Sequence, residues 1–420
     1  MIAAKIKYKA TGLKWISEIP EHWELKRLGG LFEERNETVS ENDFMPLSVT
    51  MQGIVPQLES AAKTMHVDNR KKVCIGDFAI NSRSDRRGSG GLSTLEGSVS
   101  IVNTVLKPSA FYLPEYTHFL LTNKLFQDEY YAKGKGIVAD MWSTRFSEMK
   151  TIFLPVPPKA EQDEIVQYIK AQEEKINLFI QKKQRFIELL KEQRQSVIDL
   201  AVSQGTNRLA KLIDSGEEWI GKIPNHWQLR KLKFCVSINN SEIDENEISE
   251  EIFKIALENI DNWTGKFIET GNPKFEGKGV PFKAGDVLFN KLRPYLAKAI
   301  IAKTSGFCVG ELLVLTPNAK YFISEFLFQR LMTSEFIDIV NSSTYGAKMP
   351  RASWNFIGNL KIPIPPIEEQ KRIVSYIKTE TATIDTAIAK AEREIELIRE
   401  YKEAMIAEAV MGKRKINFAH

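Results

Sequence analysis

The chain has 420 residues, of which 43% are hydrophobic and 27% charged. That composition fits a soluble protein of two or three domains. No apolar run approaches the roughly 18 residues that suggest a membrane span, and the opening MIAAKIKYKATG lacks the apolar core of a signal peptide, so a cytoplasmic location is expected. The net charge of +4, from 58 basic and 54 acidic residues, allows a nucleic-acid partner only if basic residues cluster locally.

The first landmark in chain order is WISEIPEHWELKRL at Trp15, and it returns as WIGKIPNHWQLRKL at Trp219, an offset of 204 residues (219 − 15). Trp15, Ile16, Ile19, Pro20, His22, Trp23, Leu25 and Leu28 have identical counterparts. A second landmark, PVPPKAEQDEIVQYIK at Pro155, returns as PIPPIEEQKRIVSYIK at Pro363, an offset of 208 (363 − 155). Self-similarity of this length means two homologous units rather than a short-period solenoid. Between the landmarks the copies diverge, except for a thin thread. IGDFAIN at Ile75 parallels AGDVLFN at Ala284, and ADMWSTRF at Ala139 parallels AKMPRASW at Ala347.

Each unit reads as a mixed α/β domain followed by a long helix. VCIGDFAIN, VSIVNTVL, KAGDVLFN and FCVGELLVLTP are short β-branched apolar runs bounded by Gly, Asn and Pro, as strands are. YTHFLLTNKLFQDEYY and YFISEFLFQRLMTSEFIDIV carry helical spacing of apolar residues. The proline-rich segments end the domains, since proline cannot continue a helix.

From Lys159 to about Gln204, and from Ile367 to about Met411, there is neither proline nor glycine. Ile169, Ile176, Ile180, Ile187, Leu190 and Val197 in the first stretch recur at three- and four-residue steps. Ile377, Ile384, Ile388, Ala391, Ile395, Ile398 and Met405 do so in the second. That is a coiled-coil seam. Each helix should have roughly 40–45 residues, or about 60–68 Å. Lys183, Arg194 and Lys402 fall on seam positions, where charge favours one register. The simplest partner for each helix is the other, in an antiparallel pair that holds the globular domains at opposite ends. Packing on its own domain or on another subunit is the alternative. The expected boundaries are a first globular domain over 1–157, a central helix over 158–204, a second domain over 205–365, and a distal helix with tail over 366–420.

Catalytic motifs fail on inspection. GKGIVA at Gly134 matches GxGxxA but follows a helical pattern rather than a strand. GNPKFEGKG at Gly271 has the wrong spacing for a phosphate loop, and NPKF at Asn272 has Lys274 where an adenine methyltransferase element would have proline. Cys74, Cys235 and Cys308 are odd in number and lack CxxC spacing, which argues against a disulfide framework and a zinc site. His66, His118 and His420 are isolated, while His22 and His226 occupy equivalent places beside tryptophan, where a structural role is expected. Glu161-Gln162 and Glu369-Gln370 sit at helix starts, where the dipole favours negative charge. The chain therefore reads as a binder rather than an enzyme, with no catalytic, metal or cofactor site of its own.

Basic residues cluster in matching loops. NSRSDRRGSGG places Arg83, Arg86 and Arg87 beside Gly88, Gly90 and Gly91, and the equivalent NKLRPYLAK holds Lys291, Arg293, Tyr295 and Lys298. Lys133 and Lys135, with Arg145 downstream, have Lys348 and Arg351 as counterparts after STYGAKMP. Flexible basic loops suit a DNA groove, because arginine can bind phosphate or read guanine through two hydrogen bonds. These twelve residues are the candidate DNA contacts.

The landmarks W-I-x-x-I-P-x-H-W-x-L-K/R-K/R-L and P-x-P-P-x-x-E-Q-x-x-I-V-x-Y-I, and the order of domain and helix, resemble the specificity subunits of type I restriction–modification systems over essentially the whole chain. The resemblance implies two target recognition domains, near 13–157 and 217–365, each reading one half of a split double-stranded DNA target. It implies that the paired helices set the half-site spacing. The implied partners are two methyltransferase subunits, which use S-adenosylmethionine to methylate adenine, and two motor-nuclease restriction subunits, which use ATP and Mg2+. Landmarks would repeat because the partners are identical, and the filling would differ because the half-sites differ. A protein-binding adaptor, with two domains spaced by a coiled coil and no DNA role, is the competing reading.

Overall fold

The computed structural model describes residues 7–58, 68–137, 142–244, 252–271, 277–346 and 348–414. His66, His420, the NPKF element from Asn272, the first residues of ADMWSTRF, and Ala347 lie outside them. The chain divides into two compact units. The first is Met1–Lys183 with Arg393–His420, and the second is Gln184–Glu392. Each holds one globular region and a part of both long helices.

In the first unit, Gly90–Leu92, Phe78–Asn81 and Asn103–Leu106 form one antiparallel sheet, and Gly97–Ser100, Arg70–Val73 and Thr38–Val39 form another. A hairpin of Leu47–Thr50 and Gly53–Pro56 joins them. In the second unit, Val236–Asn239, Leu312–Pro317, Val287–Asn290 and Ala299–Ile301 make a four-stranded antiparallel sheet. Alternation along its strands fills two cores. Val287, Phe289, Leu313 and Leu315 pack with helix residues Phe326, Leu327 and Phe336. Leu288, Ile300 and Val314 pack with Val280 and Phe282 of a second sheet.

Each apolar run read from the sequence as a strand contains a turn. VCIGDFAIN bends at Gly76 (φ +88°), where the Asp77 carboxylate accepts the Cys74 N–H at 2.8 Å. KAGDVLFN bends identically at Gly285 (φ +91°), with Asp286 accepting the Lys283 N–H at 2.7 Å. The Gly-Asp thread common to both copies is therefore turn chemistry: glycine supplies the left-handed backbone and aspartate closes the loop. YTHFLLTNKLFQDEYY likewise resolves into two helices, Pro114–Thr122 and Lys124–Ala132. Asn123 separates them, its side chain accepting the Phe126 N–H at 3.0 Å as an N-cap.

The repeated landmarks meet in space. In the first unit the strand Glu24–Arg27 pairs with Phe153–Val156, and in the second Gln228–Lys231 pairs with Lys361–Ile364. Trp23 Nε1 donates to Glu161 Oε2 at 2.8 Å, and His22 Nε2 lies 2.6 Å from Glu161 Oε1. Trp227 and His226 make the same pair of contacts to Glu369, at 3.2 and 2.8 Å. The neighbouring glutamines are equally committed. Gln162 donates to the carbonyls of Phe111 and Pro157, and Gln370 to those of Tyr321 and Pro365. Both histidines are thus structural, as their placement beside tryptophan suggested.

The long helices run from Lys159 to Gln204 and from Ile367 to Val410. Their pairing is antiparallel within each unit. In the first, Lys183 meets Glu394 at 2.5 Å and Lys402 meets Glu173 at 3.0 Å. In the second, Arg194 meets Asp385 at 2.8 Å. Each charged seam residue therefore finds a carboxylate on the other helix. Ile169, Ile176, Ile187, Ile377, Ile384, Ala391, Ile395 and Met405 are buried, as the seam requires.

One core position differs in charge between the two units. Trp15 packs edge-on to Phe126 and Trp219 packs against Phe336, which aligns buried Leu120 with Arg330. Arg330 is fully buried beneath Trp219, 3.8 Å from Glu335, with Nε and Nη2 unpartnered among the described residues. Burial pushes its guanidinium down to about 10 and raises the Glu335 carboxyl. Restoring the first unit's pattern with Arg330→Leu and Glu335→Leu together is expected to leave stability unchanged or raise it by about 1–4 kcal/mol. Glu335→Leu alone strips the buried cation of its carboxylate and is expected to cost about 1–3 kcal/mol. Chemical denaturation of both variants distinguishes these outcomes.

Candidate nucleic-acid interface

In the first unit, three segments are stitched edge to edge. Arg83 and Lys135 both form antiparallel bridges with Ser143. The second unit repeats the stitch, with Leu292 and Tyr345 both bridging Arg351. Equivalent loops thus meet at equivalent places, although their side chains differ.

The stitch gathers Arg83 and Arg145 on the wall of a cleft of about 640 Å³ that Lys71, Asn103 and Ser143 also line. A second cleft of about 640 Å³ is lined by Arg83, Arg86 and Arg87 and by the Leu47–Pro56 hairpin. Arg86 is well exposed, 3.9 Å from Asp85. Arg87 pairs with Asp128 and stacks over Tyr131. Lys133 caps the helix Lys124–Ala132 and pairs with Glu129 at 3.3 Å, while Lys135 lies 3.5 Å from Glu148. Lys133 lines neither cleft.

The glycines here serve packing rather than flexibility. Gly90 and Gly91 are buried in a strand, and a Cβ on Gly91 would sit 2.9 Å from Gly53 Cα. The loop itself is shaped by a short 3-10 turn, Ser84–Arg86. Gly134 has a similar role. A Cβ there would meet Trp142 Nε1 at 2.3 Å, and the residue follows a helix, which removes the nucleotide-loop reading of GKGIVA.

In the second unit, Arg293 and Ala297 adopt left-handed backbone on either side of the turn Pro294–Leu296. The turn leaves Tyr295 exposed at its tip. Arg293 N–H donates to Pro350 O at 2.7 Å, and Ala352 N–H to Lys291 O at 2.9 Å, which brings Lys291, Arg293 and Arg351 together with exposed Lys348 nearby in sequence. Arg351 is held by Glu311 at 2.5 Å. Lys298 turns inward and donates to Leu257 O at 2.6 Å. Among the described residues, Arg83, Arg145, Lys291 and Lys348 have no acidic partner within salt-bridge distance, so their charge is available to a ligand. Lys71 and Asn103 were not legible as site residues, because only the fold brings their strands to these clefts. Trp263 also has left-handed backbone (φ 61°), and its N–H donates to Ala297 O at 2.9 Å.

The type I restriction modification DNA specificity domain matches residues 225–397. The type I restriction enzyme EcoDI specificity subunit of Escherichia coli is 25% identical over 46% of this chain. The putative type I restriction enzyme MjaX specificity subunit of Methanocaldococcus jannaschii is 22% identical over 96% of both chains.

The chain is similar to type I restriction–modification specificity subunits.

In the EcoDI alignment this chain spans less than half of its relative, 43% of that length. A solved structure described as the basis of complex assembly and conformational transition of the type I R-M system covers 94% of this chain and 99% of its own. It has a TM-score of 0.60 and 17% identity, a likeness of fold. That shared fold accounts for the two mixed domains and the paired long helices. Among the described residues, no helix is long and apolar enough to cross a membrane, and no group of three or more His, Cys, Asp or Glu could hold a metal ion.

Proposed function

We propose that this chain is the non-catalytic DNA-recognition subunit of a type I restriction–modification complex, binding a two-part double-stranded target with one half-site per recognition domain. The observation that carries the reading is the repeated three-segment stitch. One frame presents Arg83, Arg86 and Arg145 in the first unit and Lys291, Arg293 and Lys348 in the second. A common frame with different side chains suits two different half-sites on one duplex. The repeated landmarks, closed by Glu161 and Glu369, suit two identical partners. Two methyltransferase subunits would bring S-adenosylmethionine, and two restriction subunits would bring ATP and Mg2+, in the cytoplasm.

Methylation mapping of the host genome, with this gene intact and deleted, tests the reading. Loss of one adenine-methylated two-part motif on deletion is expected, and an unchanged methylome beside an active partner methyltransferase would favour the adaptor reading.

Replacing Arg86 and Arg87 with alanine is expected to weaken DNA binding by the assembled methyltransferase. The slope of log affinity against log salt should fall by roughly one to two, since each phosphate contact contributes about 0.9. Affinity unchanged at low and moderate salt would remove this loop from the interface.

A further inference from the structure

We propose that Asn103 is a base-reading residue of the first recognition domain, its side-chain oxygen accepting a hydrogen bond from the exocyclic amino group of an adenine or a cytosine. The inference rests on the DNA-recognition reading above and names one of its specificity determinants.

Asn103 begins the strand Asn103–Leu106 and lies directly across from Asn81. Residues opposed in an antiparallel pair share a face, and both asparagines line the cleft that holds Arg86 and Arg87. Asn103 also lines the neighbouring cleft with Arg145. Among the candidate contacts, only Arg83 shares both clefts with it.

The amide orientation is fixed, because Nδ2 donates to Ser100 O at 2.9 Å. That leaves Oδ1 as the acceptor, and it is buried with no partner among the described residues, in a residue only 5% exposed. A buried acceptor without a donor is costly and rare in folded proteins. Here it belongs to a residue shared by two clefts ringed with arginine. Of the groups on base edges in the major groove, the amino groups of adenine N6 and cytosine N4 are the donors. Arg83 carries no acidic partner and is therefore able to turn to a phosphate as a base edge enters. The second unit has Leu312 at this place, opposite Asn290. The acceptor is thus peculiar to one half of the protein, as a half-site determinant must be.

The test maps methylation by the full complex carrying Asn103→Leu or the milder Asn103→Ser. The expected result is relaxation at a single adenine or cytosine position of one half-site, with methylation of the original sequence falling about 5- to 150-fold, the range for losing one good base contact. The other half-site should be unchanged. A motif identical to wild type, from a variant that melts at the wild-type temperature, would overturn the assignment and leave Asn103 holding only a water. Changes spread over both half-sites would also overturn it. If Asn103→Leu does not fold, Asn103→Ser alone decides. A wild-type complex that methylates no two-part motif would instead defeat the DNA-recognition reading itself.

Discussion

Trp23→Ala is expected to destabilise the first unit by about 3–5 kcal/mol, the cost of truncating a fully buried aromatic in a core. Trp23 is wholly inaccessible to solvent and its indole N–H is spent on Glu161. It also seats the far end of the chain. Gly412 follows the distal helix with φ +68°, and a Cβ there would come within 2.8 Å of the Trp23 ring. Tyr8 and Tyr116 hydroxyls donate to the carbonyls of Gly412 and Val410, at 2.9 and 2.8 Å. Losing the indole therefore removes packing from both the beginning and the end of the chain. Trp227→Ala is the matched control: Gly205 follows the central helix with φ +75°, and its Cβ would meet Trp227 at 3.2 Å. The measurement is denaturant unfolding followed through two transitions, because a protein of two units need not unfold in one step. A loss below about 1 kcal/mol for Trp23→Ala would mean that the landmark does not close the unit.

The second large effect concerns the helices. Seven residues inserted after Gln181, with seven more at the facing position after Ile395, are expected to lengthen the gap in the recognised sequence by about three base pairs. The estimate is about 10 Å of added helix at 1.5 Å per residue, set against 3.4 Å per base pair. A whole heptad keeps the apolar seam in phase, with a drift of only about 20°. Insertion in the central helix alone would move Lys183 off Glu394, so the single insertion is expected to lower stability as well. Sequencing of methylated sites reads the gap directly. A gap of unaltered length in a stable, active variant would contradict the proposal that the helices set half-site spacing.

The repeat, the extent of both helices and the structural use of His22 and His226 could all be read from the sequence, because each rests on a pattern with its own physical period or pairing. Iso-spaced isoleucines require a partner helix, and a run free of proline and glycine can remain helical for 46 residues. Twin landmarks flanking divergent segments require a common frame. The hairpins were less legible. A turn at Gly76 or Gly285 is one residue of left-handed backbone inside an apolar run, and neighbouring strand residues outweigh it in any windowed reading. Gly90 and Gly91 misled in the opposite direction. Glycine beside arginine reads as a mobile loop, yet here the lack of a side chain serves close approach to Gly53.

What sequence alone determined, then, is what repeats along one chain: two copies, two helices, and basic residues at equivalent loops. What only the tertiary structure decided is which separated residues meet. It closed Trp23 on Glu161, placed the end of the distal helix in the first unit's core, tied Arg87 to Asp128, turned Lys298 inward, and put Asn103 beside Arg83 with its oxygen unpartnered. The physical reason is that periodicity and local propensity act over a few residues, whereas burial and pairing are settled between strands and helices far apart in the chain.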